Sequence, residues 1–189
     1  MVLMASKAGW CVWITGLPGS GKSVVAKALQ GRLKEHNIKA QILSSDALRK
    51  AVTPDPTYTE EERDMFYGAL VLVAEYLTEN GMNVVVDATG NRRRHRKNAR
   101  SRIPLFVEAY VKCPLEVCME RESGRGKTFQ APRDIYRRAR KGEAQTVPGV
   151  GVPYEKPLHP EVTIDSERLS PGECAQRIYE TITKRFRNL

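Results

Sequence analysis

The fold of this chain is decided by residues 10–23, which read WCVWITGLPGSGKS. The apolar start, WCVWI, predicts a buried β-strand, and a helical pattern of apolar residues runs from Lys22 to about Glu35. The last eight residues, GLPGSGKS, match in full the pattern GxxxxGK followed by Ser or Thr. Glycines at such a junction let successive N–H groups turn inward around phosphate oxygens, beside the positive end of the helix dipole. The sequence therefore predicts a phosphate-binding loop.

Two side chains of this loop indicate which phosphate compound it binds, because an ordinary glycine-rich turn would not require them. Lys22 is expected to reach the β- and γ-phosphates of ATP, and the Ser23 hydroxyl is expected to ligate Mg²⁺. The residues predicted to hold the nucleotide are Gly16, Leu17, Pro18, Gly19, Ser20, Gly21, Lys22 and Ser23. The loop thus predicts ATP and Mg²⁺ as cofactors.

The rest of the chain alternates between short apolar runs and helical patterns. Further strands are predicted at about residues 40–43, 84–87, 106–111 and 162–164. Strands that alternate with helices imply βαβ units, so we predict an α/β fold with a five-stranded, mostly parallel sheet flanked by helices. Neither a repeat nor a low-complexity linker divides the chain, and residues 1–189 are predicted to form one domain.

The composition excludes several classes of protein. Hydrophobic residues make up 41% and charged residues 28%, which is typical of globular chains and unlike collagen or disordered proteins. The longest apolar runs have four to six residues, too few to span a membrane, and no secretory signal is visible. The four cysteines form no CxxC pair, which indicates reduced thiols in a cytoplasmic protein. The net charge of +9 favours polyanionic partners, among them nucleotides, phosphorylated metabolites and nucleic acids.

Two acidic residues stand at or just beyond the ends of predicted strands, where ligands bind in open α/β sheets. Asp46 follows the second strand and Asp87 ends the third. Either carboxylate is suited to hold Mg²⁺ through water or to accept the proton of an attacking hydroxyl. For Asp46 the alternative is a helix cap or a first-turn residue stabilised by the helix dipole. The predicted metal ligands are therefore Ser23, Asp46 and Asp87.

Basic residues are concentrated in two segments. In the helix predicted at about residues 91–102, most of them are expected to form a solvated charged face and His95 to lie at the surface, while Arg92 is the candidate for ligand contact. Residues 123–157 are too long for a passive connection and predict a lid, whose cations would neutralise a transferring phosphate. Its basic residues are Arg125, Lys127, Arg133, Arg137, Arg138, Arg140 and Lys141. A surface loop that is merely basic is the alternative.

Taken together, these motifs resemble the adenylylsulfate kinases. Besides the phosphate-binding loop, the resemblance rests on residues 46–49, on 58–63 (YTEEER), on 110–118 (YVKCPLEVC), on 135–143 (IYRRARKGE) and on 149–157 (GVGVPYEKP). It covers about residues 10–182 and implies a P-loop kinase fold. It further implies transfer of the ATP γ-phosphate, with Mg²⁺, to the ribose 3′-hydroxyl of adenylylsulfate. The product would be 3′-phosphoadenylylsulfate, made in sulfate assimilation, often by a homodimer.

The resemblance also implies roles for single residues. Asp46 falls at the second acid of the family's Asp-Gly-Asp segment, Arg49 at the arginine that follows it, and Arg63 at the arginine of the substrate helix. Tyr58 falls where an aromatic ring stacks on the substrate adenine. The resemblance thus implies catalytic roles for Lys22, Asp46 and Thr89, and substrate contacts for Asp46, Arg49, Tyr58, Arg63 and Arg92.

Thr89 and Arg92 belong to a segment in which this chain departs from the family pattern. They fall at the serine, often labelled a phosphorylated intermediate, and at the arginine of a Ser-Pro-Tyr-Arg motif, which reads Thr-Gly-Asn-Arg here. Ser44-Ser45 replaces Asp-Gly, Phe66 replaces a substrate-binding asparagine, and Val147 stands where a second stacking aromatic belongs. Losing one aromatic platform costs about 1–3 kcal/mol per stacked base.

Residues 87–92 lead to two alternatives for the function. They resemble the Asp-x-Thr-Asn segment of polynucleotide-kinase-like enzymes, so the acceptor hydroxyl could belong to a nucleic-acid 5′-end or a small metabolite. Nucleic acid is the less favoured partner, because no aromatic residues are interleaved with the basic ones. The other alternative is a nucleotide-binding regulatory protein without kinase activity.

Overall fold

The computed structural model describes residues 8–124, 132 and 134–186. Its strands are β1 (Cys11–Thr15), β2 (Ala40–Ser44), β3 (Asn83–Asp87), β4 (Phe106–Lys112) and β5 (Val162–Asp165). Its helices are α1 (Lys22–Glu35), α2 (Ser45–Val52), α3 (Glu60–Glu79), α4 (Arg93–Arg102), α5 (Leu115–Ser123), α6 (Ile135–Arg140) and α7 (Pro171–Arg185). The predicted α/β alternation is confirmed, and each strand lies within one residue of its predicted ends.

The five strands form one sheet in the order β2-β3-β1-β4-β5, and every pair of neighbours is parallel. The carboxyl ends of the strands therefore meet at one edge, with β1 in the middle. In this register Asp87 at the end of β3 lies opposite Ile14 of β1 and Ser44 of β2. The phosphate-binding loop and both candidate acids thus follow adjacent strands at the same edge.

The core lies on both faces of the sheet because alternate residues of a buried strand point to opposite sides. Val12 and Ile14 pack with α1 and α7, whereas Cys11 and Trp13 pack with α3 and α4. All residues of β1 are buried, which explains why that strand reads as a continuous apolar run. No helix among the described residues is long and apolar enough to cross a membrane.

A third, smaller apolar cluster attaches the middle of the predicted lid to the phosphate-binding loop. Cys118 of α5, Tyr136 of α6 and Val147 pack together, and Leu17 of the loop lies against them. The Tyr136 hydroxyl also donates a hydrogen bond of 2.7 Å to the Pro18 carbonyl. The lid residues Arg125, Lys127 and Arg133 lie outside the described residues.

Candidate active site

The phosphate-binding loop has a backbone that only glycine accommodates at its sharpest turns. Gly19 and Gly21 have φ of 83° and 95°, in the left-handed region. A Cβ at Gly19 would lie 2.3 Å from the Cys118 carbonyl oxygen, so α5 packs directly on the loop. A Cβ at Gly16 would lie 2.7 Å from Ser20 Oγ, which is buried without a hydrogen-bond partner among the described residues. The loop therefore forms a tight cradle with an unsatisfied hydroxyl group.

The helix that follows the loop presents an N-terminus suited to an anion. Gly21 is its N-cap and supplies no side-chain cap, and the first turn contains no acidic residue. The positive end of the helix dipole is thus not neutralised by the first turn's own side chains. Lys22 Nζ donates hydrogen bonds to the carbonyl oxygens of Gly16 (3.1 Å) and Leu17 (2.9 Å), which hold the ammonium group at the loop. Ser23 is exposed at the same helix end.

Both candidate acids lie at this edge of the sheet. Asp87 ends β3 and is 7% exposed. Ser44 caps α2 through its Oγ, which accepts a hydrogen bond of 3.4 Å from the Ala47 N–H group, so the alternative of Asp46 as the cap is wrong. Asp46 lies in the first turn of α2, where the helix dipole stabilises its charge.

Oxygen donors such as these fit Mg²⁺, which prefers hydroxyl and carboxylate ligands and usually binds through few protein groups together with phosphates and water. Within the described ranges, no group of three or more His, Cys, Asp or Glu side chains converges to form a complete metal cage. Ser23, Asp46 and Asp87 at one sheet edge are consistent with a metal that arrives with a nucleotide.

Beside this edge, Tyr58 is held in a strained conformation between two arginines. Its φ is +57°, which L-residues rarely adopt and which costs about 1–3 kcal/mol. The Glu62 carboxylate accepts hydrogen bonds from the N–H groups of Thr57 and Tyr58, the latter at 3.1 Å. Arg63 Nε donates to the Tyr58 carbonyl oxygen at 3.1 Å. Hydrogen bonds from its neighbours thus hold the strained backbone of Tyr58 in place, as is common at ligand sites.

The Tyr58 ring lies beside the guanidinium groups of Arg49 and Arg63, at 4.9 and 5.4 Å from ring centroid to Cζ. Arg49 also lies 3.9 Å from the centroid of Phe66 and forms an ion pair with Glu62, with both side chains 11% exposed. Burial raises the pKa of the Tyr58 hydroxyl, and the charge of Arg49 lowers it in part. The hydroxyl is therefore protonated at physiological pH, and two guanidinium groups lie over the ring.

Both arginines already have protein partners. In addition to its contact with Tyr58, Arg63 Nη2 donates a hydrogen bond of 2.7 Å to the Thr146 carbonyl oxygen, which joins α3 to the end of the predicted lid. The structure thus brings Arg49, Tyr58 and Arg63 together in one cluster, whereas the acids that pair with Arg92 are Glu60 and Glu155.

Arg92 is the N-cap residue of α4 and pairs with Glu60 (3.1 Å) and Glu155 (3.3 Å). The Glu155 carboxylate also accepts a hydrogen bond of 2.8 Å from the Arg93 N–H group. This bond, together with the charge and hydrogen bond of Arg92, lowers the pKa of Glu155. Thr89 lies in the loop between β3 and α4, where its carbonyl oxygen accepts a hydrogen bond of 2.6 Å from the Thr15 hydroxyl.

The prediction of a solvated basic face on α4 is confirmed for its exposed residues Arg93, Arg94, Lys97 and Arg102, and it is wrong for Arg96, which is buried. Arg94 and Arg102 pair with acids of α3, Arg100 pairs with Glu161, and Arg96 is 1% exposed. His95 is buried as well, and its Nε2 lies 2.8 Å from an Asp64 carboxylate oxygen. Acids distant in sequence neutralise the basic residues of α4, and the composition of the helix alone did not reveal these acids.

Sequence reasoning missed Glu62 and Arg96 as residues that shape the site. Thr59 with Glu62 is typical of a capping box, but only the first half forms: Thr59 Oγ1 accepts a hydrogen bond from the Glu62 N–H group at 3.2 Å. The Glu62 carboxylate turns to Thr57, Tyr58 and Arg49 instead. For Arg96 no local signal separates it from its basic neighbours.

A cavity of about 870 Å³ lies at the opposite end of the sheet, beside Trp10, and contains no predicted site residue.

Comparisons with known proteins agree with this arrangement. A family model described as adenylylsulphate kinase matches residues 8–165. A probable adenylyl-sulfate kinase of Pyrococcus abyssi is 35% identical over 170 residues, which cover 90% of this chain and 92% of that protein. The adenylyl-sulfate kinase of a Picosynechococcus species is 36% identical over 176 residues, with 93% and 94% covered. The APS kinase CysC of Mycobacterium tuberculosis, solved in complex with AMPPNP and APS, superimposes with a TM-score of 0.81 at 30% identity, covering 93% of this chain and 98% of that one.

Proposed function

Because the chain belongs to the adenylylsulfate kinase family, we propose that it transfers the γ-phosphate of ATP to the ribose 3′-hydroxyl of adenylylsulfate. The reaction yields ADP and 3′-phosphoadenylylsulfate, an intermediate of sulfate assimilation. One observation carries this proposal: the family match spans residues 8–165, and so includes both the phosphate-binding loop and the Tyr58 cluster. The protein is therefore a phosphotransferase with an alcohol group as acceptor.

The ATP half of the site is assigned to residues 16–23. The backbone N–H groups of the loop and the free N-terminus of α1 would hold the phosphates. Lys22 lies at the loop mouth and would spread the negative charge of the transferring group. Ser23, Asp46 and Asp87 would hold Mg²⁺, whose chemistry is to neutralise charge on the phosphate oxygens.

The catalytic residues proposed beside Lys22 are Asp46 and Thr89. Asp46 would orient the acceptor hydroxyl or accept its proton, since it lies at the carboxyl edge of the sheet, just after β2, with only β3 between β2 and the strand that leads into the loop. Thr89 is tied through its carbonyl oxygen to Thr15, the last residue before the loop. In-line transfer requires such positioning more than covalent chemistry by the protein.

The acceptor half is assigned to Asp46, Arg49, Tyr58, Arg63 and Arg92. The clamped ring of Tyr58 would stack on the adenine, and the cations around it would attract the phosphosulfate group. Phe66 is buried and supports Arg49, and Val147 is buried in the third cluster. Tyr58 is therefore the ring on which we expect the base to stack.

The wider assignments follow from the same family membership and from the sequence. We expect one domain over residues 1–189, with residues 123–157 as a lid, and a homodimer. All four cysteines are free and buried, which is consistent with a cytoplasmic location. Nucleic acid is not favoured as the acceptor, because acidic side chains already pair with much of the basic helix α4.

The test is ADP release from ATP and Mg²⁺ with and without adenylylsulfate, with the nucleotide product identified. We expect release that depends on adenylylsulfate and a 3′-phosphorylated product. Lys22→Ala should lose about 10³-fold or more in kcat while it remains folded by circular dichroism. ATP binding without any response to adenylylsulfate would overturn the assignment of the acceptor, and full activity of Lys22→Ala would overturn that of the loop.

A further inference from the structure

Arg96 is the most deeply buried charged side chain near the site. It is 1% exposed, on the face of α4 that is turned toward the sheet. Its Nε donates a hydrogen bond of 2.6 Å to a carboxylate oxygen of Glu108 on β4, and Nη1 donates to the Gly90 carbonyl oxygen. Nη2 donates a hydrogen bond of 2.6 Å to the Glu155 carbonyl oxygen. One guanidinium group thus joins a strand, the loop after β3 and the C-terminal end of the predicted lid.

The two carbonyl groups belong to segments that flank the proposed acceptor site. Gly90 directly follows Thr89; its φ of +48° lies in the left-handed region, and a Cβ there would lie 2.9 Å from the Trp13 ring. Glu155 N–H donates a hydrogen bond of 2.8 Å to the Asn91 carbonyl oxygen. Both segments therefore have irregular backbones whose polar groups are satisfied by this network rather than by a helix or strand.

The same two segments are tied to the phosphate-binding loop. The hydroxyl oxygens of Tyr154 and Thr15 lie 3.0 Å apart, and Thr15 donates to the Thr89 carbonyl oxygen at 2.6 Å. Thr15 directly precedes Gly16, the first residue of the loop. The phosphate-binding loop is thus linked to Thr89 and Tyr154, whose neighbours Gly90 and Glu155 are the residues that Arg96 holds through their carbonyl groups.

We propose that Arg96 is a positioning residue, which fixes the Thr89 loop and the segment around Glu155 so that the acceptor hydroxyl meets the γ-phosphate in line. A buried ion pair is weak support for stability, because apolar side chains of similar volume often serve as well. Only an arginine provides a planar set of donors that reaches Glu108 and both carbonyl groups together. This inference rests on the proposed function.

The test compares Arg96→Lys and Arg96→Met with Arg100→Lys as the matched control. Arg100 lies one turn along α4 and pairs with Glu108 (3.5 Å) and Glu161 (2.6 Å), but makes no hydrogen bond to either segment within the described residues. Lysine at position 96 keeps the charge facing Glu108 and loses the fork of donors. For each variant we would measure kcat and KM for adenylylsulfate, and the Kd and stoichiometry for AMPPNP.

We expect kcat/KM for adenylylsulfate to fall by about 30- to 100-fold in Arg96→Lys and at least as far in Arg96→Met, since a misplacement of about 1 Å costs on the order of 10²-fold. AMPPNP should still bind one molecule per chain with a Kd within about threefold of wild type, because the phosphate-binding loop keeps its own contacts. Arg100→Lys should stay within about threefold in both measurements.

Two results would overturn the proposal while leaving the kinase function intact. One is an Arg96→Lys variant whose kcat/KM for adenylylsulfate is unchanged, while the wild-type enzyme phosphorylates adenylylsulfate. The other is an Arg96→Lys variant that binds AMPPNP below one molecule per chain, which would make Arg96 a structural residue only. A wild-type protein without adenylylsulfate-dependent turnover would instead contradict the proposed function itself.

Discussion

Replacing Glu62 by Gln should both destabilise the protein and loosen its acceptor site. The Glu62 carboxylate accepts hydrogen bonds from the N–H groups of Thr57 and Tyr58 and from the Thr57 hydroxyl, and it pairs with Arg49. A glutamine side chain keeps one acceptor oxygen, but its NH₂ group replaces the other oxygen and would face groups that can only donate. It also leaves the Arg49 cation between two aromatic rings without its counter-charge.

The magnitude follows from what is lost. Removing one partner of a buried ion pair costs about 3–5 kcal/mol, and the 11% exposure of both side chains favours the lower end. We therefore expect Glu62→Gln to lower the free energy of unfolding by about 3 kcal/mol. For a chain of this length that corresponds to a fall in Tm of about 6–12 °C. The KM for adenylylsulfate should rise as well, because Tyr58 loses the contact that holds its strained backbone.

The effect should depend on pH in a defined direction. Burial by itself raises the pKa of Glu62, but the hydrogen bonds from Thr57 and Tyr58 and the charge of Arg49 outweigh it, so the pKa is lowered. A lowered pKa stabilises the fold above the unfolded value of about 4.3. This stabilisation disappears as the pH falls through the folded pKa. The difference between wild type and variant should therefore be full at pH 7 and shrink below about pH 4.

Urea denaturation at pH 7 and at lower pH, followed by circular dichroism, measures this difference. The matched control is Glu61→Gln, which removes an exposed carboxylate from the same first turn of α3. It should cost about 0.5 kcal/mol or less, the dipole contribution alone. The reasoning is refuted if Glu62→Gln costs less than about 1 kcal/mol, or if Glu61→Gln costs as much. An unchanged KM for adenylylsulfate would show that Glu62 does not influence the binding of the acceptor.

The remaining predictions concern the nucleotide and the acceptor hydroxyl. Gly19→Ala should abolish AMPPNP binding in calorimetry, because its Cβ would lie 2.3 Å from the Cys118 carbonyl oxygen. The control Gly31→Ala, in the open middle of α1, should bind normally and gain about 0.5–1 kcal/mol of stability. Asp46→Asn should still bind AMPPNP and should lose about 10²-fold or more in kcat; turnover at the wild-type rate would remove Asp46 from the reaction.

Local sequence patterns predicted most of the fold because they report on short-range physics. A continuous apolar run such as Val84–Val86 is typical of a strand buried on both faces of a parallel sheet, and the alternation with helical patterns then indicates the layers. The glycine spacing in residues 16–23 likewise reflects a backbone shape that few other sequences adopt. The resemblance to adenylylsulfate kinases, carried by motifs such as residues 149–157, is confirmed by the family match.

Partners distant in sequence could not be predicted in the same way. The acids that neutralise α4 are residues of α3 and β4 and Glu161. The periodicity of a helix or strand does not link these acids to α4 in the sequence. His95 and Arg96 stand next to each other in a basic run, yet both are buried, because the face of α4 that meets the sheet is decided by packing. Exposure on such a helix is a property of the whole molecule.

By itself, the sequence determined the α/β architecture, the phosphate-binding loop and the sheet edge where Asp46 and Asp87 lie, since each depends on neighbours within a few turns of chain. Only the tertiary structure decided that Glu62 fixes the backbone of Tyr58 and that Arg96 joins two loops. These roles depend on the cost of burying charge, which a side chain meets only when distant donors and acceptors converge on it.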